Sequence, residues 1–301
     1  MKKLFFILPL AFLMLTSCSK DDLQPTNSTP DAKRASLGKL KLDFTGLENL
    51  GSAAQYEGWI IVNGAPISTG TFTVNNGGNP TKKNFFLDPS DLMAATTFVL
   101  TIEPIPDNDP APSATHIFAG NFSGLDADLD VSHPAALGDN YSSSTGSFIL
   151  ATPTDGAMNT NENSGVWFLD PNGPSAGLSL PTLPAGWVYE GWSVINGMPV
   201  TTGTFTDINA ADHAAPFSGN AGGPPFPGED FLNNAPGSLT FPTDLSGSTM
   251  VISIEPNPDN SPMPFTLKPL VGMTPINATD HVSYDMNNNA ASFPTGTASR
   301  K

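Results

Sequence analysis

The stretch Tyr56–Thr73, YEGWIIVNGAPISTGTFT, recurs as Tyr189–Thr206, YEGWSVINGMPVTTGTFT, with 12 of 18 positions identical. In each copy an Asn-Gly pair separates two runs of β-forming residues. This pair is a strong sign of a β-hairpin, because both turn residues need positive φ. Pro66 and Pro199 follow the turns and have no backbone N–H to donate, so the second arm of each hairpin is expected to begin at a sheet edge.

A second block follows each first one in the same order, TIEPIPDNDPAP at Thr101–Pro112 and SIEPNPDNSPMP at Ser253–Pro264. The repeating unit is longer than the roughly 20–50 residues of solenoid repeats. Short apolar runs that alternate with polar residues, bounded by Gly and Pro, are typical of half-buried strands. The sequence therefore predicts an all-β chain with two tandem antiparallel β-sandwich domains, residues 37–155 and residues 156–301.

The first 18 residues, MKKLFFILPLAFLMLTSC, have the layout of a secretory signal: two lysines, a short apolar run and small residues. The ending at Cys18 resembles a bacterial lipobox, in which the signal is cut before the cysteine and the thiol receives lipid. Residues 19–36 contain almost no large apolar residue and are expected to form a flexible tether. The tether begins Ser-Lys-Asp-Asp, which resembles a short acidic tag for surface display. We expect an outer-membrane lipoprotein attached to the membrane through its N-terminal lipid. Two orientations stay open, the periplasmic face and display at the cell surface, and the acidic tag points to the second.

Charge and cysteine content exclude several classes of partner and site. The chain has 28 acidic and 12 basic residues, a net charge of -16, which argues against nucleic acid as a partner. Cys18 is the only cysteine, so the mature chain has no internal disulfide and no thiolate metal site.

The combination of Tyr-Glu-Gly-Trp, hairpin, Gly-Thr-Phe and then a strand ending in Glu-Pro with a Pro-Asp-Asn-x-Pro tail resembles the extracytoplasmic C-terminal domain of anti-sigma-K factors. The resemblance covers roughly residues 56–120 and 189–272. It implies the β domain alone, because the chain has neither the zinc-motif cytoplasmic domain nor the spanning helix of such factors. Direct sigma-factor binding is not expected.

The repeated acids Glu57 and Glu190, and Glu103 and Glu255, allow two interpretations. A pair of carboxylates can serve as an acid and a base, depending on their separation in space. The alternative, which we favour, is that each accepts backbone N–H groups where a proline ends the strand ladder.

The tryptophans also allow two interpretations, as stacking platforms for sugar rings or as core residues. Trp59 and Trp192 lie in predicted strands beside apolar neighbours, which favours the core. Trp167 is a further candidate platform, and Trp187 is the least constrained of the four.

No catalytic or metal motif is found. The four histidines stand apart from one another, and Asp126, Asp128 and Asp130 lack the Gly and Glu of an EF-hand loop, so a solvated acidic turn is favoured. We expect no cofactor and no enzymatic activity. The expected function is sensing or binding of an envelope component, and the alternative is a surface glycan-binding lipoprotein of a polysaccharide uptake system.

Overall fold

The computed structural model describes residues 37–156, 159–173, 175–259 and 261–301. The predictions for Cys18 and for residues 1–36 lie outside these ranges. Leu37–Lys301 forms one compact unit. No helix among the described residues is long and apolar enough to cross a membrane.

The fold is all-β, as predicted. In both repeats the two strands of the hairpin come before the strand that ends in Glu-Pro. The first repeat contains β1 (Gly38–Thr45), β2 (Ala54–Val62), β3 (Ala65–Phe72), β4 (Asn84–Leu87), the short helix α1 (Pro89–Ala94), β5 (Thr97–Pro104), β6 (His116–Asn121), β7 (Asp126–Leu129) and β8 (Thr145–Leu150). The second contains β9 (Gly165–Trp167), β10 (Leu169–Asp170), β11 (Ser175–Ala176), β12 (Leu178–Ser179), β13 (Trp187–Ile195), β14 (Met198–Phe205), β15 (Gly228–Asp230), β16 (Thr249–Pro256), β17 (Leu270–Met273), β18 (Tyr284–Asn288) and β19 (Thr295–Arg300). Single 3-10 turns lie at Pro153–Asp155, Glu162–Ser164 and Ala290–Ser292.

The hairpin predictions are confirmed. Asn63 and Gly64 have φ of 51° and 80°, and Asn196 and Gly197 have φ of 52° and 82°. β3 and β14, the second arms, both end a sheet, as the prolines after the turns require.

Two sandwiches result, each curling toward a barrel. In the first, the sheet β3-β2-β5-β6 packs on the sheet β4-β1-β19-β7, and the Ala119–Asp130 bridge joins β6 to the end of β7. In the second, one continuous nine-stranded sheet runs β14-β13-β16-β17-β18-β8-β9-β15, with β12 beside β8. Stacked rings fill the first core: Phe44 lies 5.6 Å from Phe72 and 5.9 Å from Phe118.

The closing strand of each repeat lies in the sandwich of the other repeat. β19 pairs with β1 and β7, whereas β8 pairs with β18 and β9. The boundary predicted between residues 155 and 156 separates the repeats along the sequence, but these two strands cross it in space. Neither sandwich is therefore built from one repeat alone.

Side chains explain which strand belongs where. The guanidinium of Arg300, only 8% exposed, donates to the carbonyl oxygens of Leu92 and Ala95, both at 2.9 Å, and of Gly124 at 2.7 Å. Ala298 of the same strand is fully buried in the first sandwich. Both closing strands begin with Thr-Gly, and aligning them on that pair matches Phe148 and Leu150 of β8 with Ala298 and Arg300 of β19. Phe148 and Leu150 are buried in the core of the second sandwich. Exchanging the strands back would force a phenylalanine into an alanine site.

Candidate functional site

In each repeat, the tryptophan and the glutamate that recur in both copies take part in a hydrogen-bond relay on the outer face of the sheet. In the first repeat, the indole N–H of Trp59 donates to the Thr101 hydroxyl at 2.9 Å, and that hydroxyl donates to Glu103. The same Glu103 oxygen accepts the backbone N–H of Ser113 at 2.9 Å. Glu103 thus occupies the backbone-acceptor role that the sequence favoured.

The second repeat reproduces the relay. Trp192 donates to the Ser253 hydroxyl at 2.8 Å, Ser253 donates to Glu255, and the backbone N–H of Phe265 donates to the same Glu255 oxygen at 2.8 Å. A buried carboxylate that accepts two donors in this way fixes the tail that follows the strand to the strand itself.

The other repeated acids hold the β-bulges of the hairpins. Ser68 donates to Glu57, and Thr201 donates to Glu190. The pairing register shifts beside both glutamates, after Gly58 and after Gly191. The sequence predicted these acids as candidates for binding or structure, and their contacts are with fold-forming hydroxyls.

All four tryptophans are buried. Trp59, Trp167, Trp187 and Trp192 are between 2% and 4% exposed. Trp187 packs on the ring of Phe265, with ring centroids 6.0 Å apart. None of these faces is open for stacking on a sugar ring.

Trp167 has its own acid, which sequence reasoning missed. Its indole N–H donates to Asp230 at 2.8 Å, and Asp230 also accepts the backbone N–H of Thr154 at 2.7 Å. The glycine-rich segment covers the ring, since a Cβ at Gly223 would lie 2.4 Å from it. The connections on either side of β15 are both longer than those on either side of β4, so the extra length of the second repeat is divided between them.

A cavity of about 410 Å³ lies where the β1–β2 loop of the first repeat meets the tail after β16 of the second. We call it the junction cavity. Its lining combines three carboxyl groups with apolar and small residues: Glu48, Asn49, Leu50, Gly51, Ser52, Ala53, Ala54, Ile102, Glu255, Pro256, Pro258, Asp259, Ser261, Pro262 and Phe265.

Glu255 is the buried polar group of this cavity. Its side chain is fully buried, and while Ser253 and Phe265 both bond Oε1, Oε2 has no partner among the described residues. Burial raises the pKa of Glu255 to about 7, with the charges of Asp259 and Glu48 adding to the rise. Burial also raises the pKa of Glu48 to about 7.

Glu190 lies behind Glu255 and adds to the acidity of the region. Its Oε2 likewise has no partner within the described part of the chain. Burial raises the pKa of Glu190 to about 8, and Glu255 and Asp259 contribute. Lys268 is the cation in range, and its ammonium donates to the carbonyl oxygen of Phe265 at 2.6 Å.

The equivalent junction on the other side of the molecule is packed shut. Trp187 holds the strand position of Ala54, because Ala54 pairs with Pro104 as Trp187 pairs with Pro256. A Cβ at Gly186 would lie 2.6 Å from the backbone of Ala114, so the loop and the facing chain are already in contact there. The Ala/Trp difference between the copies, AAQYEGW against GWVYEGW, was readable in the sequence and marks which junction is open.

A further polar cluster consists of Glu162, Asp280 and His281. One ligand atom each of Glu162, Asp280 and His281 lies within 4.8 Å of the others. Glu162 and Asp280 line a cavity of about 490 Å³ that Asp244 also borders. Glu162 is more than a hundred positions from the adjacent Asp280 and His281, and no sequence motif connects it to them.

The acidic stretch LDADLD forms a strand rather than the turn that the sequence favoured. Asp126 and Asp128 lie on the exposed face of β7, and Asp130 accepts the backbone N–H of Ser132 at 2.7 Å.

Comparison with known proteins gives no match: no family model, no curated protein and no solved structure matches the chain.

Proposed function

We propose that this chain is a non-catalytic ligand-binding protein of the bacterial envelope, anchored by lipid on Cys18, which takes up a small ligand in the junction cavity. The proposal keeps the resemblance of each repeat to the anti-sigma-K C-terminal domain as a resemblance of the β unit alone. Sigma-factor binding is no part of it.

The observation that carries the proposal is the free oxygen of Glu255. The equivalent glutamate Glu103 takes part in the same relay, and of the two it is Glu255 that lines the junction cavity, which is large enough for a small molecule. Leaving a buried carboxylate oxygen without a donor is unfavourable, and a ligand that brings a donor removes that cost. Small-molecule sites combine an apolar lining with a few polar groups in this way.

The contacts of the other candidate acids support a structural role. Glu57 and Glu190 hold hairpin hydroxyls, and Glu103 holds a backbone N–H, so these three carboxylates serve the fold. The glycan-binding alternative has no specific support, since the tryptophans that would stack on sugars are buried.

A thermal-shift panel tests the cavity. The chain is expressed from residue 19 and melted with organic cations, organic anions, neutral aromatics and oligosaccharides. The variant Ala54→Trp is the control, because it places in the open junction the side chain that Trp187 supplies at the closed one. At least one small-molecule class should raise the Tm of the parent and not of Ala54→Trp. Oligosaccharides that stabilise both proteins equally would instead favour the glycan alternative.

Cell fractionation tests the anchor. Cys18→Ser should move the protein from the outer-membrane fraction to a soluble pool, and protease added to whole cells should cleave the parent protein. A variant that stays with the membrane would overturn the lipid attachment.

A further inference from the structure

We propose that the ligand of the junction cavity is an organic cation, an ammonium or guanidinium group carried on an apolar body. This inference rests on the proposed function and adds the chemical class of the ligand. It follows from the charges, the hydrogen-bonding capacity and the apolar lining of the cavity.

The charge at the cavity is negative and is not neutralised by ion pairs. Glu48, Glu255 and Asp259 line it. The ion pairs of the described residues are Lys41–Asp43, Lys83–Asp43 and His281–Asp280, none of which involves these carboxyl groups. Among the described residues, Lys268 is the cation whose charge acts on Glu48 and Glu255. It does not line the cavity, and its ammonium donates to the carbonyl oxygen of Phe265. An anionic ligand would meet repulsion here, and a cation would complete the site.

The hydrogen-bonding need points the same way. Glu255 lines the cavity, its buried Oε2 has no donor among the described residues, and a carboxylate only accepts. An ammonium group offers three donors and no acceptor, and hydrogen bonds between charged partners are the stronger ones. A neutral hydroxyl satisfies the same oxygen with a weaker bond.

The remaining lining fits an apolar body. Leu50, Ala54, Ile102 and Pro258 give aliphatic surface, and Phe265 gives a ring wall that can also face a cation. The volume of about 410 Å³ accommodates a ring with a short side chain.

The affinity for such a cation should depend on pH. Glu255 faces the carboxyl groups of Glu190, Asp259 and Glu48 and lies in range of the Lys268 ammonium. Since burial raises the pKa of Glu255 to about 7, its carboxyl is largely neutral at pH 6 and ionised at pH 8.5. Cation binding should therefore strengthen as the pH rises across that interval.

The test compares three probes of one shape by titration calorimetry: benzylamine, benzyl alcohol and benzoate, each at pH 6 and pH 8.5, with the chain expressed from residue 19. At pH 8.5 benzylamine should bind about tenfold or more tighter than benzyl alcohol, the difference that one charge-assisted hydrogen bond provides. Benzoate should bind most weakly. Glu255→Gln should remove the preference for benzylamine, so that benzylamine and benzyl alcohol bind this variant with similar affinity.

Two variants keep the test interpretable. Glu103→Gln makes the same change in the equivalent relay, at a glutamate that does not line the cavity, and should leave the preference intact. Ala54→Trp fills the cavity without altering a charge and should abolish binding of all three probes. Equal affinity for benzylamine and benzyl alcohol, both lost in Ala54→Trp, would overturn the cation and leave cavity binding standing. Absence of binding by every probe would overturn both.

Discussion

The two junctions between the repeats are built from equivalent parts and differ in outcome. At one, the loop before β13 touches residues 114–115 and Trp187 fills the strand position. At the other, Ala54 stands in that position and a cavity with a free carboxylate oxygen remains. Both repeats keep the hydrogen-bond relay from tryptophan to glutamate, and this relay stabilises the fold that they share. They differ at Ala54 and Trp187, and the cavity lies at the junction that has the alanine.

Separating the repeats should have the largest effect. Residues 37–155 alone lack β19, the strand between β1 and β7, and residues 156–301 lack β8. Neither half should melt cooperatively by itself, whereas co-expression should give a 1:1 complex with the melting transition of the whole chain. A half that melts cooperatively as a monomer would show that its own closing strand can return to its own sheet.

A pair of cysteine variants sharpens that result in the intact chain. Lys41 and Ser299 are paired in register across β1 and β19, at a spacing suited to a disulfide. In a Cys18-free background, Lys41→Cys with Ser299→Cys should oxidise to an internal disulfide. Lys41→Cys with Ile149→Cys, the matching position of β8, should not. The opposite pattern would mean that the closing strands are not exchanged.

A change in pH should have the next largest effect, and mainly through the second repeat. Burial raises the pKa values of Glu190 to about 8 and of Asp212, Glu229 and Glu255 to about 7. The folded protein then holds more protons than the unfolded chain between about pH 4.5 and 8, so its stability falls as the pH rises through this window. Without ligand, the Tm should be on the order of 5 °C lower at pH 8.5 than at pH 5.5.

The matched glutamates of the hairpins provide the control. Glu190→Gln should flatten the pH dependence of the Tm, because a neutral amide has no proton to lose. Glu57→Gln, at the equivalent position of the first repeat, should flatten it less, since Glu57 is less deeply buried than Glu190. A Tm that rises from pH 5.5 to 8.5 would contradict the burial of these acids.

The relay glutamates should show the smallest effect. Glu103→Gln weakens the bonds from Thr101 and Ser113 and should lower the free energy of unfolding by about 1–3 kcal/mol. Glu255→Gln should cost less at pH 8.5, because it also removes a buried charge whose second oxygen is unpaired. Urea denaturation of both variants measures the difference, and an equal or larger cost for Glu255→Gln would remove the distinction between the two relays.

Local features of the fold could be predicted from the sequence because their causes are local. The Asn-Gly turns and the edge prolines each specify a hairpin or an edge within a few residues. The alternation around Phe98 and Leu100 indicates a strand but wrongly implies one open face, since β5 is buried from Phe98 to Glu103. The exchange of closing strands could not be predicted, since β19 meets β1 some 250 residues away and both closing strands begin with Thr-Gly. The pairing of β19 with the first sandwich is supported by Arg300, whose guanidinium donates to four carbonyl oxygens there.

The candidate site was likewise predictable only in its local features. The repeated Glu-Pro motif indicated that Glu103 and Glu255 end a ladder, and the backbone donors at Ser113 and Phe265 follow from that position. The cavity beside Glu255 depends on a loop from the other repeat, so no spacing within the motif could reveal it. The readable clue was the single Ala54/Trp187 difference.

The central claim, that the open junction binds a cation and the closed one does not, is tested most directly by amide chemical-shift mapping. ¹H–¹⁵N spectra of the chain expressed from residue 19 are recorded at pH 8.5 during titration with benzylamine. The account predicts saturable shifts at Gly51, Ser52 and Phe265 and unchanged amides at Ala114 and Gly186. Shifts centred on Ala114 and Gly186, or no saturable shift at the open junction, would contradict it.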